Sequence, residues 1–289
     1  MSYGGQRIQT NLSKGVSFRT CVVSICSPEY EKWAKVQERS LERWGNGFDY
    51  FMVSTNDLKP GHGYTPGETI VDLFEANRPK VILNFLERYE QVIFVGADVW
   101  FVGPIKEVLK KYPSADGMAA VHTTTPHPED GRSPNNWSNH TIGHLNADFQ
   151  VWRNTEQSRN FLQWCAKQME LYAPSTPHKE GGICPRDQVW LNYAPSFVRD
   201  FVILREPGCN IAYYNLHERK LRKDDAGRWL VNEQLAYYFQ FSGFEPDKPH
   251  KLSRYNGRPE LLSKEVFEVL QAFSAEFGVE LPDGGSSEG

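Results

Sequence analysis

Hydrophobic and polar positions along this chain follow two periods, and the switches between them mark out its elements. Thr20 to Ile25 (TCVVSI) is an almost unbroken apolar run, short enough for a strand buried on both faces. Between Glu29 and Trp44, Trp33, Val36, Ser40 and Leu41 recur at helical spacing, and Phe48 to Val53 reads as the next strand. Pro79 is placed as the first residue of a helix carrying Val81, Ile82, Phe85 and Leu86, because proline at that position gives up only an N–H that lacks a partner anyway. Val92 to Val95 is the strand after it, so the chain opens as βαβαβ.

Beyond this start, Pro104 opens a short helix ending near Tyr112, and Gly117 to Val121 (GMAAV) reads as a strand. From His122 to His144 no periodicity survives, and an irregular stretch of that length marks a functional or disordered loop. Leu145 to Trp152 predicts a strand, Glu156 to Leu171 a helix and Asp187 to Tyr193 a short helix. Phe201 to Leu204 and Tyr237 to Phe241 follow as strands, and a closing helix runs from about Lys264 to Phe277. The segments 1–17 and 281–289 are polar and rich in small residues, so both are expected to be frayed. The alternation predicts one α/β domain over 18–280 with two sub-sites: a nucleotide-type half-sheet over 18–121, and irregular segments over 122–280 that wall in a second ligand.

Composition narrows the partners. A net charge of -4 with no basic block gives a polyanion nothing to hold, so nucleic acid is excluded as a partner. No apolar run approaches the roughly 20 residues of a membrane span, and the first residues lack the apolar middle of a signal peptide, so a cytoplasmic protein is expected. Cys21, Cys26, Cys165, Cys184 and Cys209 are odd in number and lack CxxC spacing, which predicts free thiols packed as small hydrophobes. Aromatic residues make up 13%, a surplus that suits flat ligands and plain cores alike.

The run from Gln91 to Ile105 (QVIFVGADVWFVGPI) carries the first chemistry. Asp98 falls just past the end of an apolar strand, and in an open α/β sheet the ligand crevice lies beyond the carboxyl ends of the strands. A carboxylate at such a turn also serves simply to cap it.

YEQVIFVGADVWF, LNADFQVWRN, DQVWLNYAP, NIAYYNLHER (Asn210 to Arg219) and FQFSGFEP (Phe239 to Pro246) follow one another in a definite order. In that order the chain resembles retaining nucleotide-sugar glycosyltransferases of the GT-A fold, of the family-eight type and its bacterial polysaccharide relatives, from about Thr20 to Arg254. The resemblance implies a Rossmann-like α/β fold with a mixed central sheet flanked by helices. It also implies transfer of a hexose, with retention, from a UDP-type sugar to a glycan hydroxyl, and a Mn²⁺ or Mg²⁺ ion on the donor's diphosphate.

Residue by residue, the DxD motif of such enzymes matches Gly96-Ala97-Asp98, which carries over Asp98 as a metal ligand and leaves Gly96 with no side chain to ligate. Where the family places a histidine ligand, Gln240 stands, whose carbonyl oxygen is uncharged. Two departures at one site imply a loosely held metal, or one dispensed with in favour of cationic side chains. SICSPEY resembles the nucleotide pocket, with Ser24, Ile25 and Cys26 offering backbone groups and Tyr30 a stacking ring. Arg78 and Lys80 fall where a basic residue meets the diphosphate, and Asn146 and Ala147 where donor hydroxyls are met; Asp148 replaces the usual glycine. Asp187 and Gln188 match the pair beside the anomeric carbon, the positions of catalysis, although Asp187 also suits a plain helix N-cap. His217 and Arg219 are assigned to the diphosphate, Ser242 and Gly243 offer backbone N–H groups to phosphate, and Trp137 is a candidate sugar platform in the long loop.

Two other functions compete. A sugar nucleotidyltransferase would need a glycine-rich phosphate loop after the first strand, and SICSPEYEKW has none. A non-catalytic glycan- or nucleotide-sugar-binding homologue is favoured by Gly96 and Gln240 and opposed by Asp98, Asp187 and Gln188.

Overall fold

An apolar strand buried on both faces needs a neighbour on each edge and cover above and below, and β2 (Thr20–Cys26) has both. All its residues are buried, and it pairs in parallel with β3 (Asp49–Ser54) on one side and β4 (Gln91–Val95) on the other. The computed structural model describes residues 6–8, 19–58, 70–172 and 187–281. Around β2 and β4 the central sheet takes in β1 (Gln6–Ile8), β6 (Gly117–Val121), β7 (Leu145–Arg153) and β8 (Phe201–Leu204), in the order β1-β3-β2-β4-β7-β6-β8. The sheet is mixed: β7 runs antiparallel to both β4 and β6, and β6 is parallel to β8.

The helices α1 (Glu31–Arg43), α2 (Ile70–Leu86) and α5 (Glu156–Leu171) flank the sheet, with the short α3 (Lys106–Lys111), α4 (Asn136–Ile142), α6 (Asp187–Leu191) and α7 (Ala194–Phe197) at its ends. One core gathers Val81, Ile82, Phe85 and Leu86 of α2 with Phe161 and Leu162 of α5 beneath the sheet. A second lies on the opposite face around Phe101, Ile105 and Phe149. The third joins α8 (Lys264–Glu276) to Trp33 and to Trp229 and Val231 of a small sheet formed by β9 (Leu221–Lys223), β10 (Trp229–Val231) and β11 (Gln234–Leu235). No helix among the described residues is long and apolar enough to cross a membrane.

Most predicted elements fall where expected, and four differ. Pro79 lies inside α2 instead of opening it, because the helix begins nine residues earlier at Ile70 and the packing of its apolar face outweighs the missing N–H. The irregular stretch His122 to His144 contains α4, whose start is fixed by a reciprocal cap: Asn135 Oδ1 accepts from Ser138 N–H at 2.9 Å. Within the segment expected to fray, Gln6–Ile8 pairs antiparallel with β3. The small sheet β9–β11 lies where the sequence pattern predicts no strand. Cys184 and the tail from 282 onward lie outside the described residues; Cys21, Cys26, Cys165 and Cys209 are free and buried.

The fold positions the site through two pairings. β4 leaves the sheet at Gly96, beside Asp148 on β7, and the turn 96–98 leads into β5 (Val99–Phe101). β5 in turn pairs antiparallel with β12 (Tyr238–Gln240), so that Gln240 lies opposite Val99, next to Asp98.

Candidate active site

The turn after β4 is held from below by Gln37, which is fully buried in α1 and donates from Nε2 to the Gly96 carbonyl at 2.5 Å. Asp98 follows it, half-buried, with its backbone carbonyl accepting from Phe241 N–H at 2.9 Å. Burial raises the Asp98 carboxyl above its usual range, and the nearby charge of Asp148 raises it further, while Gln240 and Arg78 oppose the rise.

Asp148 is the hub. Its Oδ1 lies 3.1 Å from Arg78 Nη2, and its Oδ2 accepts from Gln240 Nε2 at 2.7 Å. Arg78, only 3% exposed, also sets Nη1 2.9 Å from Asp187 Oδ2, an ion pair too bent to count as a hydrogen bond. Burial raises the Asp187 carboxyl, Arg78 opposes the rise, and the charges of Glu75 and Asp148 add to it. One guanidinium thus ties together acids from β7 and α6, residues far apart along the chain.

Below Asp148 a closed polar network fixes Gln240. Its Oε1 accepts from Asn146 Nδ2 and from the Tyr214 hydroxyl, both at 2.6 Å, while Asn146 Nδ2 also donates to Asn210 Oδ1 at 2.9 Å. All four side chains are buried, so each is held by partners that would otherwise be left unsatisfied. In this arrangement Gln240 turns its donor nitrogen, and not its oxygen, toward the acids. Gln188 is similarly engaged: Oε1 accepts from Ala147 N–H at 3.0 Å and Nε2 donates to the Ile142 carbonyl at 2.9 Å. It locks α6 to β7 and to the end of α4.

Asp98, Asp148, Asp187, Arg78, Asn146, Gln240 and Gln188 therefore form one assembly with Gly96 and Ala97. Ser24, Ile25 and Cys26 are buried at the end of β2, and Tyr30, 47% exposed, stands on the rim of the site, its hydroxyl raised by burial and then by the charge of Asp98. Ser242 and Gly243 form a turn against the segment 253–255: a Cβ on Gly243 would meet the Tyr255 ring at 2.6 Å, and its φ of +73° suits glycine.

Three expected residues are not brought to this assembly. Lys80 points to α5, where it pairs with Glu170 at 2.8 Å. Arg219 is buried with a 2% exposed side chain and pairs with Glu218 at 3.4 Å. His217 faces His127 instead, with ring centroids 5.0 Å apart, and burial lowers its imidazole. Gln37, Asn210 and Tyr214, and also Arg254 and Tyr255, which lie within electrostatic reach of Tyr30, are not singled out by the sequence. Asn210 takes a φ of 56°, which asparagine tolerates better than most residues.

No protein-family model matches the sequence, and no curated protein does. Among solved structures, the galactosyltransferase LgtC in complex with donor and acceptor sugar analogues is similar over 91% of this chain and 97% of its own, at 12% identity and a TM-score of 0.50. An active-site mutant of LgtC is similar over the same shares at 12% identity and a TM-score of 0.52. A glycosyltransferase involved in glycosylation of the major capsid of PBCV-1 is similar over 78% of this chain and 94% of its own, at 12% identity and a TM-score of 0.47. Identity this low speaks for architecture, and the chain carries the GT-A glycosyltransferase fold.

Proposed function

We propose that this chain is a retaining glycosyltransferase that moves a hexose from a nucleotide diphosphate sugar, UDP-linked, to a hydroxyl of a glycan acceptor. The observation that carries the reading is the convergence of Asp98, Asp148 and Asp187 on Arg78 and Gln240 past the carboxyl end of β4. That is where an open α/β sheet binds its ligands.

The carboxylates of this site suit the divalent ion that the resemblance implies. Asp98 and Asp148 offer hard carboxylate oxygens of the kind Mn²⁺ and Mg²⁺ prefer, whereas the described residues contain no cluster of three acids, histidines or cysteines suited to a metal. Asp98 and Asp148 would hold such an ion together with the donor's phosphates. When bound, such an ion supplies positive charge to a departing diphosphate.

The chain's own groups do the rest. Asp187 is fixed by Arg78, so its carboxylate can face positive charge developing at the anomeric centre without having to reorient. Gln188 holds Ala147 and α4 in place and so positions the acid beside it. Tyr30 offers an exposed ring at the rim to a nucleotide base, with Arg254 and Tyr255 close by. Trp137, 70% exposed and stacked on His140, offers a platform to a sugar acceptor from α4, the helix that Gln188 anchors.

The test is a panel of nucleotide sugars incubated with the purified chain, with and without Mn²⁺, and followed for slow donor hydrolysis and for nucleotide-induced thermal shift. Absence of both for every donor would overturn the reading. Asp187→Asn is expected to lower turnover by about 10²–10³-fold while changing donor affinity far less. The engagement of both ends of the Gln188 amide and the pairing of Asp187 with Arg78 favour a second reading, a nucleotide-sugar-binding homologue without turnover. Tight donor binding with no hydrolysis or transfer would select it.

A further inference from the structure

Asp148 fills the space that a side chain at position 96 would occupy. A Cβ built on Gly96 meets Asp148 Cγ at 2.7 Å, Cβ at 2.8 Å and Oδ1 at 3.0 Å. The backbone keeps the two residues face to face, since Gly96 N–H donates to the Asp148 carbonyl at 2.8 Å, one step beyond the Val95–Phe149 pair. A side chain at 96 and a carboxylate at 148 therefore exclude each other.

The direction of that carboxylate follows from its partners. Oδ1 is turned to Arg78 and Oδ2 accepts from the Gln240 amide, while Gln240 on β12 lies opposite Val99, the residue after Asp98. Gln240 thus stands beside both acids, bonded to Asp148 and one residue along the strand pairing from Asp98. Among the described residues, Arg78 divides its single charge between Asp148 and Asp187, and no ion pair reaches Asp98. Three carboxyl groups crowd one guanidinium in a half-buried place, a gathering of hard oxygen ligands that a cation would take up.

We propose that Asp148 and Asp98 together form the cation-binding pair, with Asp148 supplying from β7 the carboxylate that position 96 lacks, and that residue 96 is glycine to make room for it. The proposal rests on the donor-binding reading above and sharpens it. Gln240 becomes a positioning residue that aims Asp148, and the two departures from the motif, at 96 and 148, become one exchange. Neither position could be replaced alone without disturbing the other.

Mn²⁺ titration of the full chain, followed by the electron paramagnetic resonance of the free ion with and without UDP, tests this directly. Asp148→Asn, close in shape to the parent residue, is expected to weaken Mn²⁺ binding by about tenfold or more, and Asp148→Gly to do the same. The double variant Gly96→Asp with Asp148→Gly should recover most of the loss. Should the double variant not fold, Gly96→Ala serves instead: it should weaken Mn²⁺ binding in the parent and have no effect in the Asp148→Gly background. Unchanged Mn²⁺ binding in Asp148→Asn would overturn the proposal, as would a folded double variant no better than Asp148→Gly. A UDP-induced thermal shift in EDTA, with Mn²⁺ held no better by the parent than by Asp148→Asn, would leave the donor site standing and remove the cation pair. Mn²⁺ held through the pair, with no nucleotide sugar bound, would do the opposite.

Discussion

Burying Arg78 commits the molecule to keeping both of its acidic partners. Its guanidinium lies 4.6 Å from the Phe74 ring centroid and 5.0 Å from that of Phe94, so it is desolvated between aromatic faces and paired at its tip. Removing it strands Asp187, itself 6% exposed, without its cation. Arg78→Ala is therefore expected to destabilise the fold by about 3–5 kcal/mol in urea unfolding, and Arg78→Lys by less, because a lysine keeps the charge but not the two-pronged reach. A loss near zero for Arg78→Ala would show that water already screens the cluster. Arg78 and Asp187 are brought together as motif order suggests, whereas Lys80 is expected beside Arg78 because a helix opening at Pro79 leaves residue 78 outside its period; α2 instead runs through both. Two residues apart on a helix do not share a face, so Lys80 had to leave the cluster that Arg78 joins. Asp148 was singled out, but its role was not readable, because strand pairing with Gly96 is non-local.

At the level of elements, α2 departs furthest from its sequence signal. A proline preceded by polar residues suggests a helix start, yet here the helix continues upstream, and it does without the bond that residue 79 would donate to the carbonyl of residue 75. Its downstream half, Val81 to Leu86, buries four large side chains in the core beneath the sheet, and this burial holds the helix together across the break. Pro79→Ala is expected to raise stability by about 1–3 kcal/mol, since alanine restores the donor and is the better helix former. A fall in stability, measured in the same urea assay, would instead mean that the proline shapes α2 around Arg78. The β10–β11 hairpin escaped notice for a related reason. Its turn places Asn232 at φ 48° and Glu233 at φ 66°, the geometry usually announced by Asn-Gly, and glutamate hides the signal.

Over the whole molecule, the βαβαβ start and the strands flanking α5 were legible because each buries its apolar face locally. The site was legible only in pieces, because its acids come from three segments joined by one arginine and one glutamine. The buried histidine with the largest shift, His122, links this architecture to pH. His122 closes the base of the loop that carries α4: its N–H donates to the His144 carbonyl at 2.9 Å, and its ring meets Tyr214 edge-on at 5.1 Å. Burial pushes its imidazole down to about 4, with the carbonyl contacts to His144 and Gly143 opposing the fall. Between pH 6.5, the ordinary histidine value, and that lowered value, the unfolded chain takes up a proton that the folded chain refuses. Stability contributed by neutral His122 is thus complete above the unfolded pKa and is lost as pH falls, by on the order of 3 kcal/mol across the window. Asp98 and Asp187, raised by burial, slope the other way, holding protons when folded that the unfolded chain has released. A His122→Gln variant keeps both aspartates, so their slope cancels in the difference between variant and parent. That difference should be flat above about pH 6.5 and should shift in favour of the variant as pH falls toward 4; parallel stability curves would show that His122 accepts its proton within the fold.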